Sequence, residues 1–176
     1  MPNNIDNAIR AAIRSLKHVV APSVDPNNPL AQEQVQLVAN VLDFLDQRLP
    51  YMTARDRLEM TIYADTATFL IDDAQRIDPE LAAALGSTVD LATTLATELE
   101  PRVQELRDTA ARLATLLSEL VRASDAADEV TRRRIETTVI RGSKRLVDLQ
   151  RAWFLPTGFE PNPSSVADLD DILYQR

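Results

Sequence analysis

TARDRLEMTIYADTATFLIDDAQRI, Thr53 to Ile77, is the stretch that decides the fold. Its apolar residues recur at helical spacing, and the main stripe consists of Met60, Tyr63, Ala67, Leu70, Ala74 and Ile77. Leu58, Ile62 and Phe69 flank this stripe and widen it. Because so broad an apolar arc needs neighbours on two sides, we predict that this helix lies at the centre of a helical bundle or in a subunit interface.

The composition extends the helical prediction to the whole chain. The 176 residues include three glycines and no cysteine, 45% are hydrophobic and 26% are charged. These are globular proportions, and the abundant Ala, Leu, Arg and Glu favour helices. We predict an all-α fold, an antiparallel bundle of four to five main helices with short additional helices. Residues 1–155 should form one domain, and 156–176 a C-terminal extension with a short amphipathic helix.

Two further apolar stripes set the helix boundaries on the N-terminal side. The first consists of Ile5, Ile9, Ile13, Leu16 and Val20, and the second of Leu30, Leu37, Val38, Val41, Leu42, Leu45 and Leu49. We expect the first helix to end near Ala21, because Pro22 disfavours a helical residue before it. The second helix should begin at Pro29 and end at Leu49, and Thr53 should cap the third.

Local signals also set boundaries on the C-terminal side. Asp78 should start a short helix that Gly86 ends. Leucines then continue in register across Pro101, which predicts a kinked but nearly continuous helix. Ser124 and Asp125 should cap a last long helix.

The charge balance excludes some partners. A formal net charge of -8 opposes affinity for nucleic acid, whose phosphates select clustered Lys and Arg. Acids outnumber bases ten to three over residues 51–100, and bases outnumber acids ten to eight over 101–150. This asymmetry predicts complementary faces, of one bundle or of two subunits. Since no apolar run approaches the roughly 18 residues of a membrane span and the start lacks signal-peptide features, we expect a cytoplasmic protein that does not bind membranes.

Few residues of the sequence are candidates for catalysis or metal binding. Without cysteine there is no thiolate site, and the Glu-x-x-His pairs of a carboxylate-bridged metal centre are missing, so we predict no metal and no cofactor. The single histidine, His18, lies in the last turn of the first helix, where an imidazolium faces the negative end of the helix dipole. We interpret His18 as a helix-end residue and identify no catalytic residue.

TRRRIETTVIRGSKR, Thr131 to Arg145, is the densest basic segment. Arg134, Arg141 and Arg145 lie along one flank of its helix, and such a row can bind phosphate or another acidic head group. We favour a second interpretation, a solvated ion-pair face, since acids and bases four residues apart pair on helices. The candidate pairs are Glu129–Arg133, Arg132–Glu136 and Lys144–Asp148.

Other residues are candidates for contact with a partner. The aromatic-rich segment WFLPTGF, Trp153 to Phe159, either covers the open end of its own bundle or contacts a second subunit. The candidate interface residues are Leu58, Ile62, Phe69, Trp153, Phe154 and Phe159, and we predict a homodimer. Asp65 and Asp72, seven apart on the third helix, form a polar stripe that we interpret as solvent-exposed and suited to a basic partner surface.

The segments AIRAAIRSLKHVVAPSV and AQEQVQLVANVLDFLDQRL, within residues 8–49, resemble a family of uncharacterised helical bacterial proteins. In that family a helix ends near a proline and a second helix carries a valine-alanine-asparagine-like run before leucine. Its members are encoded beside aminoglycoside-phosphotransferase-like kinases and acyl-CoA dehydrogenases. The resemblance implies an accessory role in acyl-chain or acyl-coenzyme A metabolism, and it supplies no functional residues.

Two functional hypotheses follow. The leading one is a non-enzymatic interaction or accessory protein that works through helix faces, with acyl-metabolism enzymes as candidate partners. The alternative is a small-molecule binder or enzyme, with an apolar cavity between helices for an acyl or aromatic group and the arginine row for an acidic head. An exposed apolar patch over a solid core would favour the first, and a cavity with converging polar groups the second.

Overall fold

A computed structural model describes residues 5–174, which form helices joined by short turns, with no strand among them. The helices are α1 (Ile5–Ser15), α2 (Ala21–Ser23), α3 (Pro29–Arg48), α4 (Met52–Thr68), α5 (Ile71–Ile77), α6 (Pro79–Thr97), α7 (Val103–Ala123), α8 (Glu129–Phe154) and α9 (Leu169–Tyr174). Helices α3, α4, α6, α7 and α8 are the long ones, with 17 to 26 residues. The predicted all-α bundle with short additional helices is confirmed.

The described residues divide into two compact units. The first unit comprises residues 5–52 and Trp153–Pro163, and the second comprises Thr53–Ala152 and residues 164–174. The predicted division into 1–155 and 156–176 does not coincide with these units and stays a prediction. Its first four and last two residues lie outside the part of the chain that the structure describes.

The first unit is built on an antiparallel hairpin of α1 and α3. Arg10 pairs with Asp46 at 3.1 Å and Lys17 pairs with Asp43 at 2.5 Å, so the two helices run in opposite directions. Ala39 is the buried apolar residue of the described hairpin, at 3% exposure. The hairpin therefore buries little apolar surface of its own.

The hairpin connection differs from the predicted one at its start. A π-helical turn, Leu16–Val20, joins α1 to α2, and the backbone N–H of Ala21 donates to the carbonyl of Leu16, five residues back. This wider turn accommodates Pro22, which lacks a backbone donor, and the helix therefore ends at Ser23 and not near Ala21. Pro29 is the first residue of α3, as predicted.

The second unit is an up-and-down bundle of α4, α6, α7 and α8, with α5 linking α4 to α6. The guanidinium of Arg57, near the start of α4, donates to the carbonyls of Ala96 and Glu98 at the end of α6, so these helices are antiparallel. Arg107 contacts Asp56 near the starts of α7 and α4, so those two run in the same direction. Seventeen buried apolar residues from all four helices and α5 form one core.

The third predicted helix is interrupted. α4 ends at Thr68, and the N–H of Leu70 donates to the carbonyl of Ala67, three residues back and not four, before α5 begins. At the other end, a 3₁₀ turn, Leu49–Tyr51, leads directly into Met52. Thr53 therefore lies inside α4 and does not cap it.

Three other boundaries differ from prediction. α6 continues through Gly86, because an isolated glycine costs a helix only about 1 kcal/mol. Pro101 lies in a true break between α6 and α7, where Glu98 is extended. Asp128, and not the predicted Ser124 and Asp125, caps α8 by accepting the N–H groups of the second and third residues of the helix at 3.0 Å.

Candidate functional site

Two buried carboxylates carry the strongest charge contacts of the second unit. Asp56 and Asp73 are 3% and 2% exposed. Nε of Arg107 donates to Asp56 at 2.8 Å, and Arg134 donates to both oxygens of Asp73, with Nε at 2.7 Å. In each pair the acid comes from residues 51–100 and the arginine from residues 101–150. The predicted complementary faces therefore meet within one bundle.

The three arginines of the predicted row line one cleft of about 220 Å³. Arg145 contacts Asp65 at 2.9 Å. The carboxylate of Asp73 accepts hydrogen bonds from Arg134 and raises the pKa of that guanidinium. Arg141 makes no hydrogen bond or ion pair with any residue that the structure describes. Arg141 is therefore the member of the row best placed to bind an anion.

The rest of the basic segment forms the ion-pair face that was the favoured interpretation. All three candidate pairs are present, Glu129–Arg133 at 2.7 Å, Arg132–Glu136 at 3.9 Å and Lys144–Asp148 at 2.6 Å. Exposed pairs of this kind contribute little stability. Most of the basic charge is thus accounted for without a ligand.

Asp65 and Asp72 do not form one polar stripe. The break after Thr68 places Asp65 on α4 and Asp72 on α5, so their spacing of seven residues does not put them on one helix face. Asp72 is exposed, and Asp65 pairs with Arg145 of its own chain. The basic group that Asp65 contacts therefore belongs to the same chain and not to a partner.

A larger groove lies between α4, α7 and α8. Its volume is about 470 Å³ and most of its lining is apolar; the lining residues are Tyr63, Thr66, Ala114, Leu117, Ser118, Val121, Arg122, Val139, Gly142, Ser143 and Leu146. Burial and the charge of Glu59 raise the pKa of the Tyr63 hydroxyl, which stays protonated at neutral pH. Thr66 and Gly142 line both this groove and the arginine cleft.

The candidate interface residues are distributed unequally. Ile62 and Trp153 are buried within the chain, at 2% and 8% exposure, and Leu58 is half-buried. The other three, Phe69, Phe154 and Phe159, are 76%, 49% and 90% exposed. These three alone are available to a partner in this conformation, and their role in an interface stays a prediction.

Part of the WFLPTGF segment packs on its own unit. The ring of Phe44 lies edge-on to Trp153, with centroids 6.4 Å apart, and stacks on Phe154 at 5.7 Å. Nε of Arg48 donates to the carbonyl of Trp153 at 2.7 Å, and its guanidinium lies 5.6 Å from the Trp153 ring. The start of the segment therefore covers the hairpin, whereas Phe159 is left in solvent.

Sequence reasoning missed the most exposed apolar surface of the first unit. Of the residues of the second stripe, Leu42 and Leu49 are half-buried, whereas five others are 39% to 66% exposed. These five, Leu30, Leu37, Val38, Val41 and Leu45, form what we call the α3 apolar face. The stripe was wide enough for two neighbours, and α1 covers only one side of it.

No protein-family model matches the chain, no curated protein matches its sequence and no solved structure matches its fold. The resemblance of residues 8–49 to a bacterial helical family therefore stays a prediction.

The other residues singled out in the sequence lie outside any site. His18 is exposed within the π-helical turn, just before the end of α2. Among residues 5–174, no three His, Cys, Asp or Glu side chains converge in a way that could hold a metal ion. Within the same range, every helix is too short or too polar to cross a bilayer.

Proposed function

We propose that this chain is a non-enzymatic, cytoplasmic interaction protein that binds a protein partner through the α3 apolar face. The observation that carries the proposal is the exposure of five large apolar side chains on one side of a single helix. Their exposed fractions correspond to roughly 430 Å² of surface, within the range of about 300–600 Å² for the largest apolar patch on an ordinary monomer, and such a patch is often functional.

The charges around the face indicate what kind of surface it accepts. Between Leu30 and Leu45 the charged residues are Glu33 and Asp43, and Lys17 already pairs with Asp43. Apart from Glu33, the exposed polar positions between the apolar residues are amides, Gln34, Gln36 and Asn40. An uncharged, apolar helix face is therefore the partner surface that fits.

The resemblance described above supplies a candidate partner class for this proposal, the acyl-CoA dehydrogenases and kinases encoded beside the family it resembles. Each would be purified and mixed with the wild-type chain, with Val38→Glu and with Ile140→Glu, and complex formation measured by light scattering after gel filtration. Ile140 is a matched control, because it is an exposed apolar residue on α8. We expect Val38→Glu alone to lose association. A complex that survives Val38→Glu would overturn the proposed binding face.

A second candidate function, binding of a small anionic amphiphile, is favoured by one observation. The 470 Å³ apolar groove and the arginine cleft share Thr66 and Gly142 and therefore adjoin. The apolar chain of one ligand would lie in the groove and its acidic head group in the cleft. Calorimetric titration with dodecanoate tests it. We expect Arg141→Gln to weaken binding about tenfold, and Arg133→Gln, on the ion-pair face, to leave it unchanged. No heat of binding with the wild-type chain would rule out this candidate.

A further inference from the structure

We propose that the partner on the α3 apolar face is a second copy of this chain, with the two α3 helices antiparallel about a two-fold axis between Leu37 and Val38. The inference rests on the proposed binding face and names its occupant. Isologous pairing requires that one surface be complementary to itself. The face meets this requirement in the symmetric spacing of its apolar residues and in its uncharged centre.

The spacing of the apolar residues is symmetric along the helix. With the axis between Leu37 and Val38, these two residues face each other across the interface. The same axis places Leu30 opposite Leu45 of the partner subunit, at both ends of the face. Every large apolar residue at the centre and ends thus meets another, which is what packing between helices requires.

The remaining pair places Val41 opposite Gln34 of the partner subunit. Gln34 is exposed and sits within the row of apolar residues. A single polar residue in such a seam lowers stability but fixes the register, because other registers bury it less favourably. The amide therefore fits a specific pairing better than a non-specific apolar contact.

The helix dipoles favour the antiparallel orientation, in which the two dipoles oppose each other. In that pair Glu33, on the flank of the face, lies level with Leu42 of the partner subunit and about nine residues, or roughly 14 Å, along the axis from Glu33 of the partner subunit.

The area fits a weak dimer. The five residues of the α3 apolar face expose roughly 430 Å² on each copy, so a pair would bury about 900 Å² in total, which is the range of weak, transient interfaces and below the roughly 1,200 Å² of stable ones. We therefore expect a dimer that dissociates on dilution and not a permanent one.

The first measurement is the mass in solution by light scattering after gel filtration. At high loading concentration the wild-type chain should approach twice the chain mass of 19.6 kDa, and its mass should fall as the loading concentration is lowered. Val38→Glu should show the single mass, because each Glu would lie beside its own symmetry mate, and Ile140→Glu should stay dimeric. Circular dichroism would establish that Val38→Glu keeps its helices.

The second measurement tests the register and uses conservative variants that do not threaten folding. The chain has no cysteine, so Leu30→Cys and Leu45→Cys each carry one thiol. Copies of different mass are mixed and oxidised, and the disulfides are identified by mass spectrometry. We expect the mixed disulfide between residues 30 and 45, since two residues 30 would lie roughly 22 Å apart and could not bridge.

The outcomes separate this inference from the proposed function. Disulfides that join 30 to 30 and 45 to 45 would overturn the antiparallel register. A monomeric wild-type chain whose enzyme complex is lost in Val38→Glu would overturn the second copy and leave the binding face intact. A dimer that survives Val38→Glu would overturn the second copy on this face, and an enzyme complex that also survives Val38→Glu would overturn the binding face itself.

Discussion

Asp56 shows how a buried carboxylate depends on its cation. It is 3% exposed and accepts from Arg107 at 2.8 Å and from Arg55 at 3.0 Å. Arg107→Met removes one cation and leaves the carboxylate less well compensated, so we expect a loss of about 1–3 kcal/mol in the free energy of unfolding. Urea denaturation measures it.

The matched control for Arg107→Met is Arg133→Met. Arg133 pairs with Glu129 on an exposed helix surface, where the solvent already stabilises both charges. We expect its loss to change the free energy of unfolding by less than about 0.5 kcal/mol. Equal losses in the free energy of unfolding for Arg107→Met and Arg133→Met would show that burial of the partner carboxylate does not determine the effect.

Asp128 is a residue whose effect on stability depends on pH. The hydroxyl and the backbone N–H of Thr131 both donate to its carboxylate, at 2.7 and 3.0 Å, and hold its pKa below the ordinary value of 3.8. A lowered folded pKa contributes stability above the unfolded pKa, and that stability is lost as pH falls through the folded pKa. Thr131→Val should therefore raise the pKa of Asp128.

The corresponding measurement is thermal unfolding of the wild type and Thr131→Val between pH 7 and pH 2. We expect the variant to be the less stable at pH 7, and the difference to shrink as pH falls below the ordinary value of 3.8. Thr131→Ser keeps the hydroxyl and should follow the wild type. A stability difference that is constant with pH would assign the effect to packing.

Between elements, α8 packs closely against α4 at Gly142. A Cβ at this position would lie 2.3 Å from Oγ1 of Thr66, whose hydroxyl already donates to the carbonyl of Ile62. Alanine is the better helix former by about 1 kcal/mol, but overpacking costs about 1–3 kcal/mol. We expect Gly142→Ala to destabilise the chain in urea denaturation.

The double variant Gly142→Ala with Thr66→Ala isolates the contact. Removal of the threonine side chain makes room for the added methyl, so the second substitution should recover part of the stability lost in the first. Strictly additive losses would show that the two residues do not compete for the same space.

Local sequence signals predicted the existence of the elements better than their ends. Pro29 starts α3 because its missing donor costs nothing at a first helical position. The chain at Pro101 leaves the helix and does not merely kink. The guanidinium of Arg57, from α4, donates to the carbonyls at the end of α6, which would otherwise lack hydrogen-bond donors. Sequence periodicity near Pro101 carries no information about a guanidinium 44 residues away.

The candidate sites show the same limit. Arginine spacing correctly predicted that Arg134, Arg141 and Arg145 share a surface, and they line one cleft. It could not predict that Asp73 and Asp65 bind two of them, because those acids come from other helices. Likewise, periodicity identified the apolar residues of α3 but not which of them α1 leaves uncovered.

In the whole molecule, the two units differ in the core that supports them. The second unit has seventeen buried apolar residues in one cluster. Among the described residues of the first unit, Ala39 and Trp153 are the buried apolar ones. Since apolar burial is the main stabilising term in folding, the first unit has less to stabilise it alone, and a second copy on the α3 apolar face would add to it.

Trp153 allows the two units to be followed separately. It is the single tryptophan and belongs to the first unit, so its fluorescence reports that unit, whereas far-ultraviolet circular dichroism reports all helices. We expect the fluorescence midpoint on heating to lie below the dichroism midpoint.

The fluorescence midpoint of the wild type should rise with protein concentration, because association stabilises the folded state by mass action. Val38→Glu should abolish that dependence and Ile140→Glu should keep it. Coincident midpoints that do not move with concentration would show that the first unit is stable without a second copy.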